Sequence, residues 1–484
     1  MLTLVNTNRM QPLIAPIGLD YVAGAARAAG MEAEVLDLAL ADDPGAALRD
    51  HFAARDPLLV GLTFRNVDDC FWPSAEWFVP DLAESVAQIR TLTDAPIVLG
   101  GVGFSIFPRR LVDATGADFG VHGDGEEAVV ALAEELAGRR RFERVPGLVW
   151  RDDGRVCCNP PAWPEAPCLP TARAWIDNAA YFRLGGQGAV ETKRGCDRRC
   201  IYCADPLAKG PRLRCRDPAE VADEFESLAA QGVDVLHLAD SEFNVPRDHA
   251  LAVCEELARR RLGDRVRWYA YLAVTPFDAG LARAMRRAGC VGIDFTGDAA
   301  AEVMLETYRQ PHRQEELAGA IRLCRQNGIT VMIDLLLGGP GETPETVAET
   351  VEFLKRAGPD CAGAALGIRL YPGTEVAERV AAEGPLEANP GIRRRYDGPV
   401  DLFRPTFYIS PALGSESAAL VKDLIAGDQR FFEPAEEVAG AEGKGYNYND
   451  NAPLVEAIAR GQRGAYWDIL RRMRSGPSKE NASP

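Results

Sequence analysis

Glu191-Thr-Lys-Arg-Gly-Cys196-Asp-Arg-Arg-Cys200-Ile-Tyr-Cys203-Ala-Asp205 places three cysteines at spacings of three and two intervening residues, just after a short extended run. Thiolates ligate soft metals, and four of them would close a tetrahedral zinc site or hold every iron of a [4Fe–4S] cluster. Here only three stand together. A zinc site would want a fourth ligand near by, and the one candidate, Cys215, has no partner at knuckle spacing. A redox dithiol would be an isolated Cys-x-x-Cys, which Cys200 and Cys203 supply only if Cys196 is ignored. Three thiolates on a four-iron cluster leave one iron able to bind a small molecule through nitrogen and oxygen.

This spacing, with the aromatic Tyr202 before the last cysteine, resembles the radical S-adenosylmethionine (SAM) superfamily. The resemblance implies a [4Fe–4S] cluster on Cys196, Cys200 and Cys203, whose open iron chelates the amino and carboxylate groups of SAM.

Composition sets the outer bounds. The chain has 484 residues, 47% hydrophobic and 26% charged, a globular composition with room for several domains at roughly 100–200 residues each. A formal charge of −17 repels nucleic acid and anionic membrane surfaces, so no nucleic-acid partner is expected. No run approaches the ~18 apolar residues of a spanning helix, and Met1-Leu-Thr-Leu-Val-Asn6 lacks the regions of a signal peptide. No integral membrane segment is therefore expected, and the cytoplasm is the expected compartment. Twelve cysteines without framework spacing read as reduced thiols around one metal site, with the adjacent Cys157 and Cys158 as spectators.

Upstream of the cysteines, residues 1–138 alternate short apolar runs with helical patterns. Leu2–Thr7, Glu34–Leu38, Leu58–Phe64, Pro96–Gly100 and Phe119–Val121 read as strands; Pro16–Ala29, Asp81–Leu92, Arg109–Thr115 and Glu126–Gly138 read as helices. That alternation predicts an α/β, doubly wound, Rossmann-like domain with a parallel sheet, which binds ligands beyond the carboxyl ends of its strands. The loops there carry Thr63, Arg65 and Asn66, then Gly100, Gly101, Gly103 and Ser105, then His122, Gly123, Gly125 and Glu126. Glycines at strand ends let a backbone approach a bulky ligand, although a glycine pair alone is also plain turn chemistry.

Taken in order, Pro16-Ile-Gly18, Gly100-Gly101 and Gly123-Asp-Gly125-Glu126 resemble the cobalamin-binding domain found upstream of many radical SAM cores. The contacts to cobalamin that this implies are Thr63, Arg65, Asn66, Gly100, Gly101, Gly103, Ser105, Gly123, Gly125 and Glu126. The Asp-x-His-x-x-Gly motif of other cobalamin proteins is absent. This implies cobalamin without a protein His ligand, or a domain that has lost the cofactor. His122 reads as a loop histidine.

Residues 139–190 read as a hairpin turning at Asp153-Gly154, then a proline-rich linker over Asn159–Pro170. From 191 to 400 the alternation resumes with longer helices, as a partial (β/α) barrel requires. Strands are expected at Val233–Leu238, Arg267–Leu272, Gly292–Thr296, Thr330–Leu337 and Ala364–Leu370, with helices between them. SAM offers a carboxylate, an ammonium and a ribose diol, so its pocket needs carboxylates or hydroxyls and a cation. The family likeness gives Asp240, Ser241 and Glu242 to the amino group, Arg369 and Asp298 to the carboxylate and ribose, and Tyr202 to the adenine. Leu336-Leu-Gly-Gly-Pro-Gly-Glu-Thr343 resembles the family's fifth-strand loop, and equally reads as a helix-starting turn. Residues 401–484 are expected to be mainly helical. Their aromatics and amides suit a wall over the barrel mouth or an ordinary docked helix, and the final Ser475–Pro484 is expected to be disordered.

The whole pattern resembles the cobalamin-dependent radical SAM enzymes, and within them the hopanoid C-3 methylase-like group, on Glu191–Cys196 and Asn449-Asp-Asn451. That implies reductive cleavage of SAM at the cluster and cobalamin-assisted methyl transfer to an unactivated carbon of a small-molecule substrate, a lipid or natural product. It also implies an electron donor such as flavodoxin or ferredoxin. The same architecture serves 3-amino-3-carboxypropyl transfer or a cyclisation or rearrangement. A non-catalytic iron–sulfur or cobalamin-sensing protein is the contrasting class; the former would want a fourth cysteine and the latter a signalling element, and neither is found.

Overall fold

A computed structural model describes residues 1–167, 169–435 and 447–474. Leu2–Asn6, whose five residues are all buried, lies between Ala33–Asp37 and Leu59–Thr63 and pairs in parallel with both. Ile97–Gly100 and Phe119–Val121 extend the parallel sheet. The direction of winding reverses beside Leu2–Asn6, which opens a crevice at the carboxyl ends of the strands.

Pro44–Ala54 is a helix without a counterpart in the apolar pattern. Asp43 caps it by accepting from the Ala46 amide at 2.9 Å, and proline occupies its first turn. The hairpin Leu148–Asp152 and Arg155–Cys158 does not stand apart. It adds two antiparallel strands to the first sheet, with Trp150 opposite both Phe119 and Cys157.

The second sheet is an open, parallel half-barrel: Gly188–Val190, Val235–Leu238, Arg267–Leu272, Cys290–Asp298, Thr330–Leu337 and Cys361–Leu366 follow in chain order, with Phe431–Phe432 beside the last. The expected final strand, Ala364–Leu370, starts earlier and breaks at Gly367. There φ is +100° and a Cβ would lie 3.3 Å from Trp72 Cβ, so the chain swings out. Ile368–Arg369 then pairs with Thr406–Tyr408 in a small antiparallel sheet.

The helices Ala452–Ala459 and Tyr466–Arg474 close the amino-terminal end of the barrel. Trp467 packs with Val235, Tyr269, Met332 and Cys361, all near strand starts. This is the docked-helix arrangement rather than a wall over the mouth. Gly445, Tyr446 and the tail from Ser475 lie outside the described residues.

Arg173, in the linker, holds the two sheets together. Its guanidinium donates to Asp20 at 2.5 Å, to Glu224 at 2.7 Å and to the Ala189 carbonyl at 2.7 Å. Tyr21 and Arg216 also donate to Glu224, each at 2.6 Å. Asp20 and Tyr21 lie on the first helix of the chain, Ile17–Ala28, while Glu224 belongs to the barrel helix Pro218–Ala230. Among the described residues no helix is long and apolar enough to cross a membrane.

Candidate functional site

The strand ends of the two sheets are fastened to each other. Arg194 of the cysteine loop donates to both oxygens of Glu126, at 3.0 and 2.8 Å, and Arg214 pairs with Asp124. His122 Nε2 bonds the Leu207 carbonyl at 2.9 Å. Burial would raise the Glu126 carboxyl, but Arg194 outweighs it and holds it below the usual range.

The cysteine loop has one shape open to it. At Gly195 φ is +82° and a Cβ would sit 2.0 Å from the Arg212 carbonyl oxygen, so only glycine fits. The Cys196 amide then donates to Gly210 at 3.1 Å, and that of Cys203 to Cys200 at 3.2 Å. Burial raises all three thiols, Cys200 to about 12, with Asp298, Glu242 and Asp205 adding to the effect. A metal bound there displaces the protons. Cys203 feels both of the other thiols electrostatically, and Cys200 feels Cys196. Three thiolates on one loop suit a cluster, in which each meets a different iron, where a structural zinc ion would take a fourth ligand.

Around the loop, Tyr202 donates its hydroxyl to Asp298, and Gln310 Nε2 reaches Asp298, the Tyr202 hydroxyl at 3.3 Å and Cys200 Sγ at 3.4 Å. Asp298 sits at φ +57° on a strand irregularity, where its short polar side chain tolerates the left-handed backbone. Glu242 accepts from Thr296 at 2.9 Å through one oxygen, leaves the other buried without a partner, and is pushed up to about 7 by burial. Ser241 donates to Asp205 at 2.5 Å.

Two sequence expectations meet a different geometry. Asp240 has its oxygens taken by the Thr192 amide at 2.8 Å, the Thr192 hydroxyl and the Lys193 amide, so it is a strut under the cysteine loop. Arg369 points away, to Asp68 at 2.9 Å and the Leu402 carbonyl at 3.1 Å, because the break at Gly367 turns its strand outward. Tyr202, Ser241, Glu242 and Asp298 are the members of that expected set that the structure gathers beside the cysteines. Gln310 and Thr296 join them without any mark in the local sequence.

On the facing sheet, Gly101 has φ +104°, and a Cβ would lie 2.6 Å from the Phe64 carbonyl oxygen; one on Gly103 would lie 3.0 Å from the backbone of Arg65 and Asn66. Ser105 accepts from the Gly123 amide at 3.0 Å and so joins two of the glycine loops. Gly125 packs near Val22, while Gly100 faces open space. Thr63 ends its strand, its carbonyl held by the Thr7 hydroxyl at 3.2 Å. Arg65 forms no ion pair among the described residues. It keeps accessible surface, burial lowers its pKa, and its charge acts on the Tyr466 and Tyr271 hydroxyls. A cavity of about 450 Å³ opens beside these loops, lined by Phe107, His122, Val149 and Phe403 among others. The donors, thiols and open backbone fit a cluster with SAM on one side and a large planar cofactor on the other.

A cobalamin-type domain facing a radical SAM half-barrel is the class that this fold and site define. The Radical SAM superfamily matches residues 190–354, and the B12 binding domain matches residues 4–133. Tryptophan 2-C-methyltransferase of Streptomyces laurentii is 32% identical over 96% of this chain and 94% of its own length. The radical SAM methyltransferase TsrM of Kitasatospora setae, solved with tryptophan and the SAM analogue aza-SAM, is 34% identical with a TM-score of 0.90, covering 98% of this chain and 97% of that one. The same enzyme with cobalamin and a [4Fe–4S] cluster gives 32% and 0.88 over the same shares.

The chain belongs to the cobalamin-dependent radical SAM methyltransferases. It is an enzyme whose cofactors are a [4Fe–4S] cluster, SAM and cobalamin and which methylates a small molecule. At the finer level this full-length likeness is to a tryptophan 2-C-methyltransferase, where Glu191–Cys196 and Asn449-Asp-Asn451 suggest the hopanoid C-3 methylase-like group.

Proposed function

We propose that the enzyme methylates a ring carbon of tryptophan or a close indole-bearing amino acid. The observation that carries this reading is the match of nearly the whole chain to an enzyme solved with tryptophan in place. In this reading Cys196, Cys200 and Cys203 hold the cluster. Tyr202, Ser241, Glu242 and Asp298 surround SAM, and Asp240 shapes the loop from beneath. Thr63, Arg65, Asn66, Gly100, Gly101, Gly103, Ser105, Gly123, Gly125 and Glu126 form the cobalamin face. The two domains take the bounds 1–138 and 191–400, the bridge between them lending the hairpin Leu148–Cys158 to the first sheet and Gly188–Val190 to the second, with the helical region after.

When bound, the cofactors supply the methyl group and the electron chemistry of its transfer. The chain's own part is orientation and exclusion of water. Asp298 fixes the Tyr202 ring, Gln310 braces both, and the bonds from Arg194 to Glu126 hold the two cofactor faces in register. Reducing equivalents come from a small cytoplasmic donor such as flavodoxin or ferredoxin.

The test is anaerobic protein supplied with iron, sulfide and hydroxocobalamin, beside a Cys196→Ala, Cys200→Ala, Cys203→Ala variant, each then given tryptophan and SAM. About four irons lost in the variant, with about one cobalt kept in both, is the expected pattern. The wild type should yield methylated tryptophan with S-adenosylhomocysteine. Methylthioadenosine, or no methylated indole, would remove the reading.

A further inference from the structure

The half-barrel is not filled by apolar side chains. Successive strand residues face opposite sides, and Leu236 and Leu238, Ala270 and Leu272, Ile293 and Phe295, and Ile333 and Leu335 all pack outward on the helices. His237, Tyr271, Asp294 and Asp334 therefore face inward. Asp294 is the register partner of Tyr271, Asp334 of Thr296, and the His237 and Tyr271 rings lie 4.9 Å apart. Below this layer Tyr269 and Trp467 close the floor; above it come Thr296, Glu242 and the cysteine loop.

The two aspartates lack donors. Asp294 is 1% exposed, and neither of its oxygens has a hydrogen-bond partner. One oxygen of Asp334 is buried in the same state. Burial raises both carboxyls, and each aspartate lies close to another acid. Lys193, at the strand ends, is engaged with Asp240 and the Glu242 carbonyl, and Arg65, the cation whose charge acts on Tyr271, makes no ion pair with either aspartate. Buried carboxylates left without donors are costly, so the layer calls for donors brought from outside the chain. An ammonium group offers three N–H donors and the compensating charge.

We infer that Asp294 and Asp334 form the subsite for the ammonium group of the substrate, which enters the barrel amine first and leaves its reacting end at the strand ends. This rests on the amino-acid reading above and specifies which end of the substrate the barrel holds. SAM also carries an ammonium, so the test separates the two sources.

With the reconstituted holoenzyme, binding of tryptamine and of indole-3-propionate, the latter lacking the amine, is measured by calorimetry for wild type, Asp294→Asn and Asp334→Asn, together with S-adenosylhomocysteine. Wild type should favour tryptamine by about 100-fold or more, as sites built around a hydrogen-bonding group do. Each variant should lose most of that preference while its affinity for S-adenosylhomocysteine changes by less than about twofold. Equal wild-type binding of the two indoles would overturn the inference, as would a weakening confined to S-adenosylhomocysteine. The comparison of the two indoles on wild type stands even if a variant fails to fold. Absence of methylated tryptophan would count against the parent reading alone, because the subsite is read by binding.

Discussion

Arg369 and Asp68 join the barrel to the first domain through one buried contact: Nε to Oδ2 is 2.9 Å, and the two side chains are 2% and 0% exposed. The guanidinium also stacks on Tyr371, with its carbon 4.6 Å from the ring centre. Replacing Arg369 by Met leaves the Asp68 carboxylate buried without its cation, at a cost of about 3–5 kcal/mol in denaturant unfolding. Asp68→Asn in the same background should recover part of that loss, because the orphaned charge is gone. Additive losses would show the pair to be uncoupled.

Arg173 makes a stronger demand, since two acids depend on it. Arg173→Met strips the cation from Asp20 and removes one of two arginines from Glu224. We expect a loss of about 3–5 kcal/mol, with limited proteolysis opening the linker before either sheet. Cleavage that begins inside the barrel would contradict this order.

Glu342 gives a pH dependence with a definite sign. It is fully buried and accepts from the Gly339 amide at 3.2 Å, yet burial pushes it up to about 7 from an ordinary 4.5. The folded state therefore holds the proton more tightly than the unfolded chain. Its contribution is complete below pH 4.5 and is lost as pH rises to about 7. The difference amounts to about 3 kcal/mol at about 1.4 kcal/mol per pH unit. Between pH 4.5 and about 7, wild type should lose about 3 kcal/mol more stability than Glu342→Gln, a slope difference of about 1.4 kcal/mol per pH unit; parallel curves would sink the assignment.

Gln310 donates toward Cys200 Sγ at 3.4 Å. A hydrogen bond to a cluster thiolate stabilises the more negative, reduced state, so Gln310→Leu should lower the cluster's reduction potential in an anaerobic titration followed by electron paramagnetic resonance. Outer partners of this kind commonly change metal affinity or activity by about 10–100-fold. An unchanged potential would leave Gln310 as a packing residue.

Much of this molecule is legible in its sequence because the deciding signals are local. Cys196, Cys200 and Cys203 lie within one loop, and the strands Arg267–Leu272 and Thr330–Leu337 occupy the residues that their apolar runs mark. What was not legible depends on distant partners. Arg369 reads as a free strand-end cation until Asp68 is seen against it, and Gln310 carries no sign of Cys200. Asp240 reads as a ligand because its place matches, but its oxygens are taken by backbone amides that only the folded loop brings near. The helix Pro44–Ala54 shows little apolar period because only Leu48 and Phe52 are buried, leaving Asp43-Pro44 as its one mark.

The floor that Trp467 forms with Tyr269 bears on how the enzyme is made. Every cysteine and every inward-facing barrel residue is translated before the helix Tyr466–Arg474 leaves the ribosome. Until that helix docks, the strand starts below Asp294 and Asp334 lack the apolar cover of Tyr466, Trp467 and Ile469. The barrel's floor is thus the last part of it to be made, and a chain halted after Phe432 would carry all the proposed cluster ligands and none of the packing beneath them.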